Sequence, residues 1–162
     1  RLQTELDIPL KLVVITNATL LDQPRVQEGL AQLTALRGEI WGKLDAGSDT
    51  WYRRVDRGRI SLDRIETNLR SAAAHFPLRI QTMLCRVQGE PPSVDELHAY
   101  AQRLRRIEDS AYAAGRSLLE IQLYTVIRRT AEQYAEALPV SFLEDVREAL
   151  KHWGVTTPIS LY

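Results

Sequence analysis

The chain is nearly devoid of sulfur. Of its 162 residues one is cysteine, Cys85, and one is methionine, Met83. A single thiol excludes an internal disulfide and fits a reducing, cytoplasmic setting. Nor can it supply the three or four thiolates that an iron–sulfur cluster takes. Excess charge is also missing. Twenty-one Lys and Arg balance 21 Asp and Glu, so no net field draws the chain to nucleic acid or to an anionic membrane. No apolar run approaches the roughly 20 residues needed to cross a bilayer. Gly-x-Gly-x-x-Gly, the phosphate-binding P-loop and the Gly-x-Ser-x-Gly elbow are all absent. The three histidines, His75, His98 and His152, fall on helical stretches without ligand spacing and read as solvated. Arg1-Leu2-Gln3-Thr4-Glu5 is no signal peptide, and no initiator Met is present, so a portion of a longer polypeptide is expected.

What the sequence does contain is an alternation. Leu10-Lys11-Leu12-Val13-Val14-Ile15-Thr16 is β-branched and almost wholly apolar, the pattern of a strand buried on both faces. The preceding Asp7-Ile8-Pro9 reads as the tail of an earlier helix and turn. A helix follows, capped by Asp22 with Pro24 in its first turn and Val26, Leu30 and Leu33 along one stripe. Glu39 to Ala46 is a second strand. Ser48 opens a short helical piece, and Ser61 opens a longer one with Leu62, Ile65, Leu69, Ala72 and Phe76 inward. Leu78 to Cys85 is a third strand. Ser93 and Glu96 form a capping box for a long helix that Gly115 stops. Leu118 to Val126 is a fourth strand. A second capping box, Ser141 with Glu144, starts the last helix, and Pro158 to Tyr162 is a short final strand. Five strands alternating with helices give an α/β class built from parallel βα repeats with right-handed crossovers.

Strand parity points to a site. Trp41, Lys43 and Asp45 share one face, as do Arg79 with Gln81, and Glu120 with Gln122 and Tyr124. The opposite parity is apolar. A doubly wound sheet would bury both faces and make these polar groups costly unless paired. A partial barrel, with helices on one side only, would let them line a lumen and meet a ligand at the carboxyl ends of the strands. Two plainer readings stand beside this one: Lys43 and Asp45 as an ion pair at a strand end, and the polar groups satisfying one another with no ligand. Five strands leave an open first edge, so further strands would belong before Leu10. Arg128-Arg129 could meet an anion bidentately. Arg53-Arg54, Arg57 and Arg59 beside Trp51 and Tyr52 form a basic patch, while Arg103, Arg105 and Arg106 read as the wet face of a helix. Lys43 beside Asp45 also admits a Schiff-base nucleophile in a hydrolase or aldolase fragment.

Four segments taken together, Thr16-Asn17-Ala18-Thr19-Leu20-Leu21, Trp41-Gly42-Lys43-Leu44-Asp45-Ala46, Ile80-Gln81-Thr82-Met83-Leu84 and Gln122-Leu123-Tyr124-Thr125-Val126, carry a resemblance. In order and spacing the chain resembles the radical S-adenosylmethionine superfamily, in particular the iron–sulfur oxidoreductases related to wyosine-type tRNA-modifying synthases. The likeness covers the C-terminal part of that family's barrel. It implies a partial (β/α)6 TIM-like barrel whose intact parent holds S-adenosylmethionine and a [4Fe-4S] cluster and acts on a small molecule or a tRNA. By the same resemblance Lys43 and Asp45 lie on the ribose side, and Gln122, Tyr124 and Thr125 on the adenine side. Gln81 falls between them, and Asn17 lies in a turn where the family has Gly and this chain has Ala18. The family's Cys-x-x-x-Cys-x-x-Cys loop and Gly-Gly-Glu-like strand are missing, which implies that this chain alone does not cleave S-adenosylmethionine. The alternative is a non-catalytic α/β module that docks another chain, or a second copy of itself, through its open edge.

Overall fold

In a computed structural model, residues 11–127 and 134–162 are described. Among the described residues there are seven strands, β1 Val13–Thr16, β2 Glu39–Lys43, β3 Leu78–Met83, β4 Arg86–Val87, β5 Glu120–Tyr124, β6 Ala135–Glu136 and β7 Ile159–Leu161. The same residues form five helices, α1 Pro24–Ala35, α2 Asp49–Val55, α3 Leu62–His75, α4 Val94–Ala113 and α5 Val140–His152. Five strands form one sheet in the order β1-β2-β3-β5-β7, and every pairing is parallel. Sequential order with a helix between neighbours is the architecture of a partial βα barrel.

Burial alternates along the central strands as parity demands. Ile40, Leu78, Ile80, Ile121 and Leu123 are fully buried, whereas Trp41, Lys43, Arg79 and Gln81 are half-buried. The helices therefore cover one face. Gly42 is part of that fit, since a Cβ there would overlap the Leu69 side chain from α3. Leu62, Ile65, Leu69, Leu97, Leu104 and Ile107 carry the helical side of the core. No described helix is long and apolar enough to cross a membrane.

Several local expectations are corrected. The first strand is not buried on both faces: Leu12, Val14 and Ile15 are 37%, 39% and 55% exposed. β1 ends the sheet, so its outer side has no neighbouring strand to cover it. Asp22 does not cap α1; Gln23 holds that place without a side-chain bond, and Asp22 instead meets Arg64 at 2.9 Å. Ser141 lies inside α5, which begins after Pro139 and also lacks a side-chain cap. Pro24 and Pro139 fix φ where the first N–H groups need no helical partner, which removes the need for the expected hydroxyl or carboxyl. The Ser93 box is half formed: Ser93 Oγ accepts from Glu96 N, but the Glu96 carboxylate turns away to accept from Gly47 N at 2.5 Å and from Ser48. Arg103 is no wet-face residue. It is buried, donating to Gly47 O at 2.6 Å and to Glu66 at 2.5 Å. β4 and β6 pair antiparallel into a small ribbon that the strand pattern did not reveal. The readings of Leu10, Asp7-Ile8-Pro9 and Arg128-Arg129 lie outside the described residues.

Candidate functional site

The uncovered face of the sheet is built in rows. Parallel register sets Trp41 beside Arg79 and Arg79 beside Glu120, and in the next row Lys43 beside Gln81, Gln122 and Ser160. The lower row is an ion network. Arg79 Nε donates to Glu39 at 2.9 Å and Arg79 Nη1 to Glu120 at 2.5 Å. Glu39 also accepts from Trp41 Nε1 at 2.9 Å and pairs with Lys11 at 3.0 Å. Burial alone would raise the Glu39 carboxyl, but the bonds from Arg79, Trp41 and Lys11 outweigh it and hold the group down at about 2. Above this network Gln81 Nε2 donates to Gln122 Oε1 at 3.3 Å, and Gln122 Nε2 donates to Glu120 at 3.0 Å.

The top row holds the chemistry. Lys43 Nζ donates to the Tyr124 hydroxyl at 2.7 Å and lies 3.1 Å from Asp45 Oδ2. The Asp45 side chain is 2% exposed and that of Lys43 27%. Asp45 Oδ1 accepts the Met83 N–H at 2.6 Å. Burial pushes the Lys43 ammonium down, yet the Asp45 charge and the Tyr124 bond more than reverse this, so its pKa is raised. Lys43 is therefore held protonated, the opposite of what a Schiff-base nucleophile needs. The aldolase reading loses its footing.

A fourth member comes from outside the sheet. Asp56, at the C-terminus of α2, turns its carboxyl onto Asp45, and the two are hydrogen-bonded. Removal from water and the charge of Asp45 push Asp56 up to about 7, while Lys43 pulls the other way. The outer side of Asp56 remains exposed, where water offsets part of that push. Burial raises Asp45 too, against Lys43 and the Met83 N–H. Asp45, facing an ammonium and an amide N–H, is the better acceptor, so near neutrality Asp56 carries the shared proton. Nothing in the motif Asp56-Arg57-Gly58-Arg59 signals this partnership; only the return of α2 over the end of β2 creates it.

Beside this cluster lies a cavity of about 210 Å3 at the carboxyl ends of β1 and β2, lined in part by Asn17, Lys43, Asp45, Tyr52, Asp56 and Arg59. Asn17 Oδ1 accepts from Thr19 N and Oγ1, and the turn is completed by Ala18 at φ 62, in the left-handed region. Asn68 Nδ2 donates to Ala18 O at 2.7 Å and holds the turn in that conformation. Ala in place of Gly is accommodated there at a modest backbone cost. Of the residues singled out from the sequence, Asn17, Lys43 and Asp45 line this cavity, Tyr124 joins them through its bond to Lys43, and Gln81 and Gln122 continue the Lys43 row across the sheet. Thr125 does not join them. Its hydroxyl accepts from Leu138 N at 2.8 Å, just ahead of α5. Cys85 is buried, and loss of water pushes its thiol up to about 11, so it stays protonated. His98 packs edge-on against Trp153 at 5.2 Å, and all three histidines are exposed on helices, as expected. Among the described residues no three His, Cys, Asp or Glu are grouped to hold a metal ion.

No protein-family model and no curated protein sequence matches the chain. Among solved structures the chain is similar to a radical SAM methyltransferase from Sphaerobacter thermophilus, with a TM-score of 0.60 and 14% sequence identity over 93% of this chain. The chain spans 39% of that protein's length. At this identity the likeness is one of fold.

Proposed function

We propose that this chain is the C-terminal part of a radical SAM barrel and that its uncovered sheet face lines the S-adenosylmethionine site. One observation carries the reading: three adjacent strands of the parallel sheet, β2, β3 and β5, present charged and amide side chains in register on the single face that no helix covers, at the carboxyl ends where such barrels bind ligands. The fold likeness to a radical SAM methyltransferase supports it.

The residues fit part of the cofactor requirement. Lys43 and Tyr124 offer a cation and a hydroxyl, Gln81 and Gln122 offer amides, and Asn17 and Asp45 border the adjoining cavity. These groups suit the hydroxyls, carboxylate and base edge of S-adenosylmethionine. The cofactor supplies the radical chemistry, and these side chains bind and orient it and limit access of water. An iron–sulfur cluster does not fit this chain, whose one thiol is buried and protonated, so the cluster belongs to other parts of the intact parent. Without them the chain is inactive. The finer assignment, to the branch related to wyosine-type synthases with a small molecule or tRNA as substrate, rests on the resemblance of the four segments quoted above.

The test is an NMR titration of the chain with S-adenosylmethionine, with methionine alone as the control. Shifts centred on Lys43, Gln81, Gln122 and Tyr124, lost in Lys43→Ala, support the site. Shifts confined to other surfaces, or none up to about 10 mM, remove it. A second reading, docking of another chain by strand addition, is favoured by the exposed apolar edge at Val14 and Ile15. Slow amide exchange in β1 of a chain that runs as a monomer would count against that reading.

A further inference from the structure

The cavity of about 210 Å3 beside the Asp45 cluster has two walls of opposite character. One is apolar, formed by Leu44, Ile60, Leu62 and Ile65, and all of these but Ile60 are buried. The other carries Asn17, Lys43, Asp45, Asp56 and Arg59. We propose that this cavity binds a short aliphatic acid, whose carboxylate meets Arg59 and the Asn17 amide and whose hydrocarbon part lies on the apolar wall. That the occupant is the parent enzyme's substrate rests on the reading given above; the binding itself does not.

Charge on the polar wall selects a monoanion. Lys43 is neutralised by Asp45 at 3.1 Å and donates to Tyr124 as well. Asp56 holds the proton it shares with Asp45, so below about pH 7 it adds no charge. Arg59 is the unbalanced group. It has no ion pair among the described residues, and of Arg53, Arg54, Arg57 and Arg59 it alone lines this cavity. A guanidinium meets both oxygens of a carboxylate as a fork. A phosphate dianion would leave one negative charge uncompensated beside Asp45. Asn17 supplies the second donor: its Oδ1 is occupied by Thr19 N and Oγ1, which leaves the Nδ2 hydrogens without a partner among the described residues. The loop that carries Arg59 is seated on α2, since a Cβ at Gly58 would fall on the hydroxyl of buried Tyr52.

The acid pair makes binding depend on pH. Around Asp56 stand Lys43 and Asp45 at the end of β2, Tyr52 on α2, Cys85 beyond β3, Tyr124 on β5 and Arg59 in its own loop. Burial raises both tyrosines and the thiol, Lys43 is held protonated and a guanidinium does not titrate. Among these groups only the Asp45–Asp56 pair changes charge near neutrality. Loss of its proton sets a second negative charge beside the bound carboxylate.

The experiment is calorimetric titration of the full chain with sodium butyrate at low salt. Saturation is expected in the millimolar range, with affinity falling about fivefold between about pH 6 and about pH 8. Asp56→Asn cannot ionise and should remove that slope. Arg59→Gln should weaken binding about tenfold, the loss of one charge-assisted partner. Arg116→Gln, ahead of β5, should leave binding unchanged. No saturation at about 50 mM, no effect of Arg59→Gln, equal weakening by Arg116→Gln, or a slope that survives Asp56→Asn overturns the proposal. So does inorganic phosphate that binds more tightly than butyrate. Methionine that displaces butyrate overturns it too, because the cavity would then hold the cofactor's own carboxylate. Butyrate that saturates through Arg59 while S-adenosylmethionine leaves the sheet face unshifted would remove the cofactor reading and keep the carboxylate site.

Discussion

Replacing Asp56 by Asn makes the chain more stable at alkaline pH and nearly unchanged at acid pH. Asp56 binds its proton more tightly folded than unfolded, since its pKa rises from 3.8 to about 7 beside Asp45. The native state therefore holds more protons than the unfolded chain between those values, and stability falls as pH climbs through that window. Above about 7 the pair carries two charges against the single ammonium of Lys43. The full shift converts to ~4 kcal/mol, but the outer side of Asp56 is in water, and screening leaves ~1–2 kcal/mol. Asn keeps the shape, donates to Asp45 through its amide at every pH and removes the second charge. Urea unfolding near pH 3.8, at the acid end of that window, should give nearly equal midpoints for Asp56→Asn and the parent. At pH 8 the variant should be ~1–2 kcal/mol more stable, or ~2–8 °C in Tm for a domain of this size. Glu39, whose carboxyl is lowered to about 2 and whose contribution is lost as pH falls below 4.5, is shared by parent and variant and cancels in the comparison. A variant no more stable than the parent at pH 8 would refute the shared proton.

Three further outcomes follow from the same geometry. Lys43→Met leaves the buried Asp45 carboxylate without its ammonium; allowing for the partial exposure of Lys43, it should cost ~2–3 kcal/mol in urea, and adding Asp45→Asn should recover part of that. No loss in the single variant would mean that the pair contributes nothing. Gly47→Ala places a Cβ against the α4 backbone at Glu96 and Tyr100, which cannot move as a side chain tip can, so a loss of ~2 kcal/mol or more is expected by thermal denaturation. Cys85 should resist a thiol reagent at pH 8 in the folded protein and react at once in denaturant, because it is buried and its thiol titrates near 11. Fast labelling of the native chain would contradict both properties.

The sheet was legible because parity in parallel strands is a local property. Ile40, Ile80 and Ile121 alternate with Lys43, Gln81 and Gln122, and the register brings the second set together without further information. Lys43 and Asp45 could be placed on one face by counting residues. Asp56 could not, because its role depends on how α2 lies across the end of β2. Arg103 misled for a similar reason: its neighbours Arg105 and Arg106 suggest a solvated stripe, but the paired Glu66 comes from another helix. The first strand looked like a central one because composition reports apolarity, whereas exposure depends on having a neighbour. Thr125 was assigned by resemblance, and its bond from Leu138 N, thirteen residues on, has no local signature.

The Glu96 and Arg103 side chains of α4 both reach back to Gly47, nearly fifty and more than fifty residues away, one accepting from its N–H and the other donating to its carbonyl. The turn after β2 therefore cannot order from its own sequence; it waits for a helix synthesised much later. Contacts of such separation form late, after the loop-closure entropy has been overcome. The wall behind Asp45 is therefore expected to take shape only once α4 is in place. A substitution at Glu96 should slow the appearance of the rim while leaving the early formation of α3 and α4 untouched.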